Sequence, residues 1–184
     1  MRKIQVKPGA QLRDYLAYGA LTFMVKKFQD EVGEFVADLK DTTIWMVNST
    51  AIGGGVAEML PSQMRILREL GIRIEWLVIE ADDDHFFAVT KKIHNAIHGS
   101  GAGEFTEEDR AVYERVNEEN LDKALSFIKD GDIVVIHDPQ PMPLGAHIRK
   151  HRDVRLVWRC HIGLNEENDT TRAVYRIIKK TYQY

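Results

Sequence analysis

Three stretches of this sequence carry side chains able to do chemistry: "NSTAIGGG" from Asn48, "HDPQ" from His137 and "RCHI" from Arg159. The first holds three consecutive glycines, Gly53, Gly54 and Gly55. Glycine loses more backbone entropy than any other residue when held, so three together point to a close approach or a tight turn. Apolar run, glycines and helix start, in that order, present free N–H groups and the positive end of a helix dipole, which suits a phosphate. The loop is not a Walker loop, since it lacks a Gly-Lys-Ser, and Glu58 stands where the third glycine of G-x-G-x-x-G belongs. Glu80 has the place of a ribose-binding acid, which leaves an NAD site open beside a plain turn needing positive φ.

His137 and Asp138 leave an apolar run, and Pro139 and Pro141 stiffen the chain just after it. Polar groups with little freedom suit sugar hydroxyls, which ask for paired donors and acceptors. A strand end closed by an Asp-Pro turn is the plainer alternative. Arg159 and His161 stand at the next strand exit. One histidine at a strand end is commonly just hydrogen-bonded, whereas two at adjacent ends favour a site. Metal ligation is poorly supported. His94 and His98 share a helix face but lack the H-E-x-x-H glutamate and a third ligand, and Asp82, Asp83 and Asp84 read as an exposed acidic loop. Neither a metal nor a cofactor is expected. There is no G-x-S-x-G elbow, and the single cysteine, Cys160, excludes an internal disulfide and reads as a small buried residue of "VRLVWRC".

These positions need elements to hold them. Residues 1–40 read as a helical extension, with Leu21, Met24, Phe28, Val32 and Phe35 recurring at three- and four-residue steps. "TIWMV" is the first strand, succeeded by the glycines and a helix from Val56 to Leu70, where Pro61 implies a kink or two segments. "IRIEWLVIE" is a second strand, parallel and buried on both faces. A helix from Phe86 to His98, the loop "GSGAG" and a helical run from a capping box at Thr106 to Lys129 come next. "DIVVI" is the third strand, and three prolines in "HDPQPMPLG" forbid regular structure before a helix from Ala146 to His151. "VRLVWRC" is the fourth strand, and a last helix starts at Asp169. Strand and helix in alternation predict an α/β fold with a parallel Rossmann-like sheet, whose ligands bind at the carboxyl ends of the strands.

The bulk properties narrow the classes further. The 184 residues fit one domain, and 44% hydrophobic and 29% charged residues, with a mean hydropathy of -0.31, are those of a globular protein. A net charge of -3 offers no attraction to nucleic acid or an anionic membrane. No apolar run approaches the roughly 20 residues of a membrane span, and the basic start lacks an h-region behind it, so a cytoplasmic location is expected.

Taken together, "VNSTAIGGGVAEML", "VVIHDPQPMPL" and "LVWRCHI" resemble the amino-terminal domain of the trehalose-forming glycosyltransferases, the glycosyltransferring trehalose synthases and retaining trehalose phosphorylases. The resemblance implies one half of a GT-B fold. Residues 1–40 would be an extension and residues 41–184 the acceptor-side domain, with the nucleotide-donor domain absent from the chain. It implies glucose or trehalose as ligand, a nucleoside-diphosphate glucose or glucose 1-phosphate as donor through the second domain, and transfer with retention and without a metal. Gly53, Gly54 and Gly55 would approach the donor diphosphate or transferred sugar. Asn48 and Gln140 would bind substrate, and His137, Asp138, Arg159 and His161 would form the catalytic subsite. The isolated half would be inactive, and its uncovered surface would favour self-association. Two positions depart from the family's pattern: Gly163, where an aspartate is usual, and Pro61. A non-catalytic sugar- or nucleotide-binding module is the alternative from another class.

Overall fold

Runs of β-branched and aromatic residues set the sheet. In the computed structural model, which describes residues 1–101 and 105–182, five strands lie in the order β1-β3-β2-β4-β5. They are β1 (Arg2–Ile4), β2 (Ile44–Asn48), β3 (Ile74–Val78), β4 (Ile133–His137) and β5 (Arg155–Arg159). The last four are parallel, with Val47 opposite both Leu77 and Ile136 and His137 opposite Arg159. β1 runs antiparallel to β3, pairing Arg2 with Val78, so the sheet is mixed rather than wholly parallel. The expectation of helix throughout residues 1–40 is corrected here. Three residues, two of them charged, are too few to show a period, and only the open edge of β3 makes them a strand.

The rest of that segment is broken helix: α1 (Leu12–Leu16), a 3-10 turn at Gly19–Leu21 and α2 (Thr22–Val36). Helix α3 (Gly55–Glu69) runs unbroken through Pro61, which overturns the two-segment alternative. α4 (Asp84–Ile97) starts two residues before the expected Phe86, because the Asp83 carboxylate accepts the Phe86 N–H at 3.2 Å and caps it. α5 (Glu107–Glu119) begins at the expected Thr106–Asp109 capping box, and α6 (Leu121–Leu125) ends short of Lys129. α7 (Met142–His151) starts four residues before Ala146, inside the proline run held to forbid structure. Pro141 sits at its cap and Pro143 in its first turn, where the missing N–H groups have no helical acceptor to lose. α8 (Asp169–Tyr182) closes the chain. Residues 102–104 of the "GSGAG" region lie outside the described residues.

Helices cover both faces. Leu60 and Met64 of α3 pack with Trp76 and Val78 on one face, joined by Val32 and Val36 of α2. Both α3 side chains are fully buried, and each contributes roughly 2 kcal/mol by leaving water. Phe86, Tyr113, Leu144 and Ile178, from α4, α5, α7 and α8, pack with Val47, Leu77 and Ile136 on the other. Chain order therefore reverses at β2: α3 leads to β3 on one side, and the return through α4–α6 reaches β4 on the other. That reversal opens a crevice outside the carboxyl ends of β2 and β4. Among the described residues no helix is long and apolar enough to cross a membrane.

Candidate functional site

His137 is the last residue of β4, and the alternation that buries Val134 and Ile136 on one face turns His137 to the other. Its imidazole is wholly buried, with Nε2 3.3 Å from Met46 Sδ and Nδ1 2.9 Å from Nε2 of His161. The two rings meet edge to edge and nearly coplanar, with centroids 5.2 Å apart and planes 13° from parallel. One proton lies between the nitrogens, so one imidazole donates and the other accepts. Burial, with His161 and Arg159 beside it, lowers the His137 pKa to about 4. A neutral His137 with its N–H toward the Met46 sulfur accepts from His161, which turns its other nitrogen to the exposed side of the pair.

Arg159 ends β5 opposite His137. The outward face of β5 is bare: Leu156 and Trp158 pack against the core, while Arg155, Val157 and Arg159 are exposed on the alternate side. The guanidinium makes no hydrogen bond or ion pair among the described residues, and its charge is available to a ligand. A cavity of about 570 Å³ is lined by Arg159 and Met46 together with Leu12, Met24, Phe28 and Gln63 of the flanking helices. α1 and α2 thus reach the neighbourhood of the histidine pair.

Asp138 takes φ 61°, and no other non-glycine residue among the described ones has positive φ. Its N–H donates to the Arg159 carbonyl at 3.0 Å, and its Oδ1 accepts the His161 N–H at 2.7 Å. Gln140 lies one turn on, and its backbone carbonyl accepts from the Asn117 amide at 3.1 Å. Asn48 sits one residue past the last β2–β4 pair, but its amide is taken: Oδ1 accepts from Trp76 Nε1 at 2.7 Å and Nδ2 donates to the Thr50 carbonyl at 2.7 Å. It shapes the loop with its side chain rather than offering it to solvent.

Gly53 and Gly54 have φ of 75° and 85°, the left-handed region closed to most side chains, while Gly55 opens α3 with no such need. All three are exposed, and a Cβ on any of them would meet open space. The backbone here is bare toward solvent and not against the protein. A second cavity, of about 320 Å³, adjoins this loop between Ser49, Thr50, Asp82 and Phe87. Glu80 lines it as well, and its carboxylate is held 2.6 Å from the Met1 amine.

The fold therefore joins His137, Asp138, Arg159 and His161 in one cluster, whereas the glycine loop and Gln140 make no hydrogen bond to the histidine pair among the described residues. Met46 and Trp158, which donates from Nε1 to the Asp138 carbonyl at 2.9 Å, belong to the cluster and were not expected. Both sit in apolar strands where type and spacing read as core. Cys160 is half-buried, its thiol 3.5 Å from the Ile162 carbonyl, and burial raises its pKa. His94 and His98 pack with centroids 5.0 Å apart, and no group of three or more His, Cys, Asp or Glu fit to hold a metal occurs among the described residues.

A family model described as "Trehalose synthase, N-terminal domain" matches residues 46–184. Trehalose synthase of Pyrococcus horikoshii is 41% identical over 155 residues, covering 84% of this chain and 36% of that one. Trehalose synthase of Rubrobacter xylanophilus is 34% identical over 170 residues, 89% of this chain and 38% of that one. Trehalose phosphorylase of Pleurotus sajor-caju is 30% identical over 186 residues, 94% of this chain and 23% of that one. The chain thus spans about a third of the synthases' length. Among solved structures, the α,α-trehalose 6-phosphate synthase of Burkholderia multivorans superposes with a TM-score of 0.54 at 12% identity, over 76% of this chain and 36% of that one. A second trehalose-6-phosphate synthase structure gives 0.55 at 18%, over 75% and 37%. The expected α/β architecture, a Rossmann-like sheet flanked by helices, holds for this chain and is shared with these two structures.

Proposed function

Because the chain belongs to the family of trehalose synthase amino-terminal domains, we propose that it is the acceptor-side half of a retaining glucosyltransferase that makes or breaks trehalose. The observation that carries this is the hydrogen-bonded pair of buried His137 and exposed His161, set with Arg159 at the carboxyl ends of β4 and β5. Glucose or trehalose binds there. His161 donates from Nε2 to the buried neutral His137 and so offers its other nitrogen to a sugar hydroxyl as an acceptor, and Arg159 supplies positive charge. Gly53–Gly55 and the amino terminus of α3 face the donor phosphate. Backbone N–H groups and the helix dipole there stabilise charge on the leaving oxygen, an electrostatic contribution that asks for no metal.

Residues 41–184 hold the parallel strands of this acceptor-side domain, and residues 1–40 add the edge strand β1 to its sheet and pack α1 and α2 beside α3. The other half of the cleft, with most of the contacts to a nucleoside-diphosphate glucose or glucose 1-phosphate, belongs to a second domain without a counterpart in these 184 residues. The chain by itself is expected to give no glucosyl transfer, and its site of action is proposed to be the cytoplasm.

Thermal unfolding of the purified chain with glucose, trehalose, ADP, UDP and NAD in parallel tests the assignment, since a ligand of the folded state raises the midpoint by mass action. Glucose or trehalose should raise it, NAD should not, and His137→Ala should abolish the sugar shift. A shift with NAD alone would point to a dinucleotide site instead.

A further inference from the structure

Resting on the sugar-site assignment above, we propose that Asp138 is a positioning residue: it locks the exits of β4 and β5 together so that His161 meets His137, without itself touching the sugar. Three hydrogen bonds cross from this one residue to the end of β5. Its N–H donates to the Arg159 carbonyl at 3.0 Å, its Oδ1 accepts the His161 N–H at 2.7 Å, and its carbonyl accepts Trp158 Nε1 at 2.9 Å. The parallel ladder ends at the His137–Arg159 pair, one residue earlier, so these bonds extend the alignment beyond the sheet.

The backbone conformation makes this possible. With φ at 61°, Asp138 turns the chain away toward α7 while keeping its N–H on β5. Aspartate and asparagine tolerate that region better than other side-chain-bearing residues, and a carboxylate accepts a backbone N–H more strongly than a neutral oxygen does. His161 is exposed and, among the described residues, is held by two hydrogen bonds alone: its N–H to Asp138 and its ring to His137. The core anchors Cys160 and Ile162 on either side of it, and the Asp138 bond fixes the direction of the exposed residue between them. The second carboxylate oxygen takes no part in the lock, which allows a direct sugar contact to be told from positioning.

Two substitutions separate these roles. D138N keeps an acceptor oxygen and the tolerance for positive φ, but replaces the other oxygen by an amide. D138G keeps the backbone conformation, removes the acceptor and is read at a temperature where it stays folded. The first readout is the imidazole ¹⁵N spectrum of the chain without sugar, which reports the hydrogen bond between the two rings. The second is titration with glucose and trehalose. D138N should keep the ring-to-ring signature and sugar affinity, whereas D138G should lose the signature and weaken sugar binding by about tenfold. A D138G chain that keeps both overturns the proposal. So does a D138N chain that keeps the signature and loses the sugar, since the carboxylate would then contact the ligand. If the unaltered chain binds neither sugar, the sugar-site assignment fails, and the ring signature alone still decides whether Asp138 sets the pair.

Discussion

His137 and His161, 24 residues apart in sequence, are brought to 2.9 Å between ring nitrogens at the ends of two neighbouring strands. One ring is fully buried and the other exposed, so the pair connects the protein interior with the crevice at the strand ends. Its chemistry depends on that asymmetry.

The first consequence concerns pH. Unfolded, His137 titrates near 6.5, while in the folded chain burial and its neighbours hold it at about 4. Between those values the unfolded chain takes up a proton that the folded one refuses, so stability is lost as pH falls from 6.5 to 4 and is unaffected by this group above 6.5. The loss from this residue is expected to be on the order of 2–3 kcal/mol. Urea unfolding at pH 7 and pH 4.5, with His137→Gln as reference, measures it; equal losses in both chains would contradict the buried neutral assignment.

Gly55 offers a way to part stability from binding. Its φ is not positive, space around a new Cβ is open, and it is the first residue of α3. Gly55→Ala should therefore stabilise the chain by about 0.5 kcal/mol while obstructing any phosphate that approaches the loop. Gly54→Ala, at φ 85°, should destabilise by roughly 1 kcal/mol or more. If ADP or UDP binds, calorimetry on Gly55→Ala should show weaker binding; unchanged affinity would remove the glycine loop from the site.

At the opposite end of the sheet, Asp132 is nearly buried and accepts from Thr43 N at 2.9 Å, Trp45 Nε1 at 2.8 Å and Lys129 N at 2.9 Å. Asp132→Ala leaves three donors without an acceptor and should cost about 2–4 kcal/mol in a denaturant titration. Because the site lies at the other strand ends, the sugar-induced shift should survive in that variant at a temperature where it stays folded.

Helix α2 turns Phe23, Met24 and Phe35 to solvent, with Phe28 partly covered. Exposed large apolar side chains in this number are expected to draw a second copy of the chain at high concentration. Sedimentation velocity should show concentration-dependent association, reversed in Phe23→Glu/Phe35→Glu; a monomer at all concentrations would mean that the face stays solvated by itself.

Local chemistry was enough to place the four parallel strands, the helices between them, the Thr106 capping box and the strand exits that carry His137, Asp138, Arg159 and His161. Each is written in a short stretch of residues: an apolar run, a helical spacing, or a hydroxyl three residues before an acid. The three motifs together also identified the family. Other features came only with the folded chain. β1 has no period of its own and becomes a strand through the open edge of β3. The α7 start depends on where prolines fall within its first turn, which a count of prolines does not reveal. Asn48 has the residue type of a ligand contact, yet Trp76, 28 positions away, claims its carbonyl oxygen. Met46 touches His137 because β2 and β4 are neighbours in space, and Asp138 spans two strand ends because β4 and β5 are. Local propensity acts within a few residues, whereas contacts across a sheet are set by strand order, and strand order is settled only when both faces of the sheet are packed.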